Sequence, residues 1–246
     1  MTLTFNSKMK KRVLIIGASS GIGKALALLM AEKNFYVGIT GRRKEKLLQI
    51  QAQAKDNIFI SVSDATQPSA TKDLDLLVKE MGGMDLFIVC AGVGYLNYAL
   101  DYNEENKTNQ LNVIAFTKLV NWGLHFFYHQ GHGHLVNISS VAQHRGGRAA
   151  PAYNASKAYQ SNYLEGLHQK VFADKKPIVI SDIRPGFVKT AMAKGKGRFW
   201  EATKEKAAKQ IYKAILGKRA VAYITTRWVL IGYLLALLPR GLYKRL

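Results

Sequence analysis

Along the chain, short apolar runs at 13–16, 35–40, 58–62, 86–90, 134–139, 178–183 and 221–224 alternate with stretches whose apolar residues recur every three to four positions. The short runs read as strands buried on both faces, since they present no alternating polar side. The longer stretches, at 22–33, 44–54, 69–81, 104–128, 152–172 and 202–216, read as amphipathic helices. Strand followed by helix, repeated, predicts βαβ units and hence a parallel sheet whose crossovers cover both faces. With 246 residues, 48% of them hydrophobic, the chain can bury one large core. One domain over 1–246 is expected, without a separate substrate module.

Charge adds a second feature. Thirty-six Lys and Arg face 16 Asp and Glu, a net charge of +20. Such a field attracts phosphates, anionic lipid or acidic proteins, and by itself does not choose among them. The cations spread over 8–12, 42–46, 189–198 and 240–245 with few aromatics interleaved and no DNA- or RNA-binding module, so nucleic acid is not an expected partner. The single cysteine, Cys90, excludes an intrachain disulfide, and its place in an apolar run makes it a buried strand residue, not a nucleophile. A polar, basic start followed by an apolar run too short for a secretory core makes a cytoplasmic location the expectation. His125, His129, His132, His134, His144 and His168 show no metal-site pattern and read as structural or surface residues; no metal is expected.

Directly after the first strand stands Gly17-Ala18-Ser19-Ser20-Gly21-Ile22-Gly23, and then a helix. Glycines here permit a tight turn and close backbone approach to a pyrophosphate, while the helix start presents free N–H groups to the anion. An ordinary strand-to-helix turn is the plainer reading; the position at the head of a βαβ series favours dinucleotide binding. Where an NAD site would place an acid for the ribose hydroxyls, the second strand ends in Thr40-Gly41-Arg42-Arg43. Arg42 suits the 2′-phosphate of NADP, with Arg43 stacking on the adenine or assisting; the alternative is a solvated basic turn. Asp64 after the third strand suits the adenine amino group, and Ala91-Gly92 after the fourth would let the backbone approach the ribose.

Tyr153 and Lys157 lie four apart at the start of a helical stretch, hence on one face. A phenol of ordinary pKa about 10 becomes an acid/base near neutrality when an ammonium favours its phenolate, so Tyr153 would exchange the proton and Lys157 would tune it. The same spacing is common in helices with no such role.

Taken together, Gly17 to Gly23, Cys90-Ala91-Gly92, Asn112, Asn137-Ile138-Ser139-Ser140, Tyr153 with Lys157, and Arg184-Pro185-Gly186 with Thr190 occur in one order, and in this the chain resembles the short-chain dehydrogenases/reductases along nearly its whole length. The resemblance implies a single-domain Rossmann fold, doubly wound around a mostly seven-stranded parallel sheet, and an NADP(H)-dependent transfer of hydride between nicotinamide and a carbonyl or secondary alcohol. It implies that Ser140, thirteen residues before Tyr153, bonds the substrate oxygen. Lys157 holds the nicotinamide ribose, and Asn112 bends a helix and orders a water linked to Lys157. Pro185, Gly186, Val188 and Thr190 line the nicotinamide and hold its carboxamide. Homodimers or homotetramers through 104–128 and 152–172 are implied as well. One departure stands at Cys90, where the family usually carries asparagine, a change that touches strand packing more than chemistry.

The resemblance also makes 187–200 a substrate-binding loop, whose cations invite an anionic or acyl-carrier-bound ketone or leave a merely solvated segment. The 226–246 tail joins an apolar run at 228–238 to a basic end, too short to span a bilayer. It suits either a membrane surface or packing on a subunit or the substrate pocket. A non-catalytic NADP-binding sensor and a membrane-surface adaptor are the alternatives to an enzyme.

Overall fold

A computed structural model describes residues 10–191 and 199–245. Among the described residues seven strands form one all-parallel sheet in the order β3-β2-β1-β4-β5-β6-β7. These are β1 (Arg12–Ile16), β2 (Tyr36–Gly41), β3 (Ile58–Val62), β4 (Leu86–Val89), β5 (Gly133–Ile138), β6 (Ile178–Pro185) and β7 (Val221–Ile224). The helices are α1 (Gly21–Glu32), α2 (Lys44–Gln51), α3 (Ala70–Glu80), α4 (Tyr102–Asn109), α5 (Phe116–Gln130), α6 (Pro151–Ala173), α7 (Lys204–Leu216), α8 (Trp228–Leu237) and α9 (Arg240–Tyr243). This is the doubly wound Rossmann architecture expected from the alternation of apolar runs.

Successive strand residues point to opposite faces, so each apolar run feeds two cores. Val13, Ile15, Val37, Ile39, Ile88 and Ile183 pack with Leu26, Met30, Leu47, Ile50 and Ile211 of α1, α2 and α7. Leu14, Ile16, Phe87, Leu135 and Ile180 pack with Leu77, Phe116, Val120, Phe127 and Leu164 of α3, α5 and α6. This explains why the runs lack polar alternation: neither face of the sheet meets water.

Three helices differ from the sequence reading, and of these α2 simply ends at Gln51, short of the expected 54. The expected 104–128 helix is α4 and α5 joined by a π-helical turn, Gln110–Ala115. The α7 helix begins at Lys204 and not at 202, because Ala202 is bonded to the 187–189 segment through Lys189 N to Ala202 O (2.9 Å) and Ala202 N to Phe187 O (2.9 Å). Thr203 then caps the helix, its hydroxyl accepting from Lys206 N. The strand order reverses between β1 and β4, and at such a switch point the loops beyond the carboxyl ends of the strands leave a crevice for ligand.

Candidate active site

The loop between β1 and α1 is shaped by contact. Gly17 has φ +84, and a Cβ there would fall 2.6 Å from the backbone of Ala91, so no side chain fits between the first and fourth strand ends. The loop thus brings Ser19, Ser20, Gly21, Ile22 and Gly23 to the start of α1, where N–H groups are free. Arg43 donates to Ser19 Oγ (2.7 Å) and Ser20 Oγ (2.9 Å), which sets a guanidinium against the loop hydroxyls. Arg42 turns instead toward Asp64, at 3.9 Å. Burial acts to raise the Asp64 carboxyl, but bonds from the Thr66 N–H and hydroxyl, with Arg42 and Lys118 nearby, hold it below its ordinary value. A cavity of about 550 Å³ is lined by Ser20, Gly21, Lys189, Thr190, Ala191, Glu201 and Lys204. A cradle of bare backbone, free helix N–H groups and an arginine fits a dinucleotide phosphate.

Across the crevice, Lys157 is 4% exposed and donates to Ile138 O (3.2 Å) and Gln160 Oε1 (2.9 Å). Burial drives its pKa down to about 8, partly offset by the Asp182 carboxylate. Its Nζ stands 5.8 Å from the centre of the Tyr153 ring, so any pull on the phenol acts through space. Burial raises the Tyr153 phenol, and a hydrogen bond with Ser140 lowers it in part. The downward pull expected from Lys157 is therefore not what sets the phenol here; its partly buried surroundings keep it protonated. Gly94 lies flat against this ring, and a Cβ there would meet Tyr153 Cδ2 at 2.6 Å. Ser140 caps the turn Val141–His144 by accepting from Ala142 N at 3.1 Å, and this fixes its hydroxyl beside Tyr153. Cys90 packs behind, its thiol pushed by burial up to about 12, which leaves no thiolate for chemistry.

Asn112 sits in the π-helical turn and is fully buried. Its side chain accepts from Val93 N (2.9 Å) and donates to Val93 O (2.7 Å) and Ser156 Oγ (3.0 Å), so it clamps the Ala91-Gly92-Val93 segment to α6. The extra residue of a π-turn is what turns this side chain inward. Its carbonyl accepts from Gln160 Nε2 at 2.8 Å.

Gln160 and Glu105 are functional candidates that the sequence reading missed. Gln160 bridges Lys157 to the Asn112 carbonyl, the position given above to a water; its place one turn beyond Lys157 was the available signal. Glu105 accepts from Ala152 N (3.0 Å) and Asn97 Nδ2 (2.7 Å), placing a carboxylate at the start of the helix that carries Tyr153. Below them, Asp182 accepts from Ser139, from Ser161 (2.8 Å) and from Arg184 Nε (2.7 Å), which ties β5, α6 and β6 together.

Pro185 ends β6, Gly186 and Val188 follow it, and Thr190 faces Gly21, whose built Cβ would lie 3.4 Å from its methyl. The 187–200 loop is described only at 187–191 and 199–200; Lys194, Lys196 and Arg198 lie outside the described residues. Its described ends build an aromatic wall with the tail. Phe199 stacks on Trp228 (5.1 Å), and Phe187 meets Trp228 edge-on (5.4 Å).

The family model of short chain dehydrogenases matches residues 11–199. Over 188 residues the chain is 35% identical to an uncharacterized oxidoreductase of Myxococcus xanthus, covering 74% of each. The solved structure of ElxO with NADP bound is 26% identical with a TM-score of 0.77, over 88% of this chain and 97% of that one. A short chain dehydrogenase/reductase of Burkholderia phymatum in complex with NAD shares the fold, with a TM-score of 0.82 at 17% identity over 91% and 92% of the two chains.

Proposed function

The chain belongs to the short-chain dehydrogenase family, and from that premise we propose that it is an NADP(H)-dependent reductase of apolar carbonyl compounds, with Tyr153 as general acid. The observation that carries this reading is that Ser140, Tyr153 and Lys157 converge at the strand ends across the crevice from the glycine loop, held there by Asn112, Gln160 and Glu105. The neighbours bound to NAD and to NADP support a nicotinamide dinucleotide. Arg43 on the Ser19 and Ser20 hydroxyls, with no acid at the end of β2, supports the phosphorylated form. The cradle, Arg42, Arg43, Asp64, Ala91-Gly92 and the Pro185-to-Thr190 segment would hold this group, which supplies the hydride.

The chain's own residues handle the oxygen and its proton. Ser140 donates to the substrate oxygen and orients the carbonyl beside Tyr153. Tyr153, kept protonated by burial, gives its proton to the oxygen as negative charge develops there. Lys157, an ammonium below about pH 8, keeps positive charge near the resulting phenolate. Asn112 and Gln160 hold that ammonium and the Gly92 backbone in register. The raised phenol stays protonated at neutral pH, the form that reduction requires before the proton is given up. The wall of Phe187, Phe199, Trp200 and Trp228 supports an apolar, lipid-like or acyl-bound substrate. Exposed Ile114, Tyr159 and Phe172, on or beside α5 and α6, support assembly into homodimers or homotetramers.

The test is NADPH oxidation against ketones, aldehydes and 3-oxoacyl thioesters, with NADH in parallel and Tyr153→Phe as control. Turnover that requires NADPH and is lost in Tyr153→Phe supports the reading. NADPH binding with no turnover by wild type on any of these substrates counts against it, and equal use of NADH removes the cofactor preference.

A further inference from the structure

We infer that the outer face of α8, with the basic end that follows it, docks on an anionic lipid surface and lies in its plane. The helix Trp228–Leu237 is apolar all round, yet the protein covers only one side. On the inner side Trp228 is buried, and Gly232 is pressed so closely on His144 that a Cβ would fall 2.7 Å from its Nε2. The carboxyl end is fastened by Arg145, whose Nε donates to Leu235 O at 2.7 Å and whose Nη2 donates to Leu238 O; Tyr243 donates to Gly146 O. A cation on the last carbonyls is a firm helix stop, so α8 is seated on the protein.

Its outward stripe is bare all the same. Leu230 is 70% exposed, Tyr233 58%, Leu234 57% and Leu237 80%, at the i, i+3, i+4, i+7 spacing of one helix face, and Leu242 beyond them is 53% exposed. Isolated exposed leucines are ordinary, but a contiguous stripe marks an interaction surface.

Charge selects the occupant. No acidic residue follows Glu205, while Arg227, Arg240, Lys244 and Arg245 flank the stripe. A second copy would bring the same cations and another net +20 against this face, whereas an anionic bilayer offers both an apolar layer and the opposite charge. Among the described residues no helix is long and apolar enough to cross a membrane. Ten residues of helix reach about 15 Å, half of a hydrocarbon core, so the helix rests in the interface.

The full chain is sedimented with extruded vesicles of phosphatidylcholine alone or mixed with phosphatidylglycerol, with thermal unfolding and molar mass measured in parallel. Wild type is expected to partition at least tenfold more onto the anionic vesicles and to be released several-fold by salt. Leu234→Glu with Leu237→Glu removes that partitioning at unchanged melting temperature and mass, and Arg240→Gln, Lys244→Gln and Arg245→Gln together weaken it by roughly a hundredfold, at about fivefold per cation. Equal binding to neutral vesicles, binding indifferent to the Leu234/Leu237 pair, or no binding by wild type overturns the inference. A lower mass in that pair assigns the face to a second copy. Capture of poly-glutamate without vesicle binding assigns it to an acidic protein.

Discussion

The Lys157 ammonium donates to Gln160 Oε1 at 2.9 Å, and the same amide donates onward to the Asn112 carbonyl at 2.8 Å. An acceptor on an ammonium favours its charged form, and here it works against burial that has brought Lys157 to about 8. Carbonyl reduction that depends on the ammonium should lose kcat/KM as pH rises through about 8. Gln160→Leu removes the acceptor, so the falling limb moves to lower pH, and the unpaired Asn112 carbonyl costs about 1–3 kcal/mol of stability. Gln160→Glu adds negative charge and moves the limb to higher pH. Matching pH profiles in both variants would reduce Gln160 to a packing residue.

Arg43, and not Arg42, reaches the loop hydroxyls. Arg43→Ala should therefore weaken NADPH by roughly 10–100-fold, as loss of a hydrogen bond to charged phosphate does, and leave NADH nearly unchanged. Arg42→Ala should cost less, since its guanidinium points toward Asp64. Isothermal titration with both dinucleotides measures it, and a larger loss in Arg42→Ala would reverse the assignment.

The seven strands and the residues at their carboxyl ends were legible because a sheet buried on both faces demands uninterrupted apolar runs, and its crossovers demand helices between them. Gly17 was legible as a turn glycine between the first strand and the helix, and the structure adds that Ala91 leaves room for nothing larger. What stayed hidden depends on contacts between distant segments. The family resemblance placed a bend at Asn112, but its π-helical form is set by bonds to Val93, nineteen residues away, and no local pattern announces it. The resting place of the tail depends on Arg145, ninety residues before Leu235. The state of the Tyr153 phenol follows from burial, which neighbouring residue types do not report.

His134 makes the fold sensitive to acid. Burial, with Lys218 nearby, brings its pKa down to about 4 from 6.5, and its Nε2 bonds Ser181 Oγ at 2.8 Å. Ser181 gives its own proton to Arg219 O (2.6 Å), so the imidazole is the donor and is neutral. The unfolded chain takes up a proton below about pH 6.5 while the folded chain does not until about 4, so stability falls as pH falls through that window, by on the order of 2 kcal/mol. Urea unfolding at pH 7 and at pH 4.5 should show a smaller loss in His134→Gln than in wild type. Equal losses would place the acid sensitivity elsewhere.

Gly186 couples the segment that follows β6 to the tail. An alanine there would put its Cβ 2.1 Å from Trp228 Nε1, within a ring that is 4% exposed and packed on Phe187 and Phe199. The ring cannot give way without opening the aromatic wall, so Gly186→Ala should destabilise by about 1–3 kcal/mol. In a Trp228→Ala background the space exists, and the same change should cost under about 0.5 kcal/mol, a coupling that a double-mutant cycle reads directly. The kinetic readout separates two routes. If Gly186→Ala raises the KM for NADPH only when Trp228 is present, the defect reaches the cofactor by displacement of the tail. If KM rises equally in both backgrounds, the methyl meets the cofactor itself, and the tail's contact with this segment is structural alone.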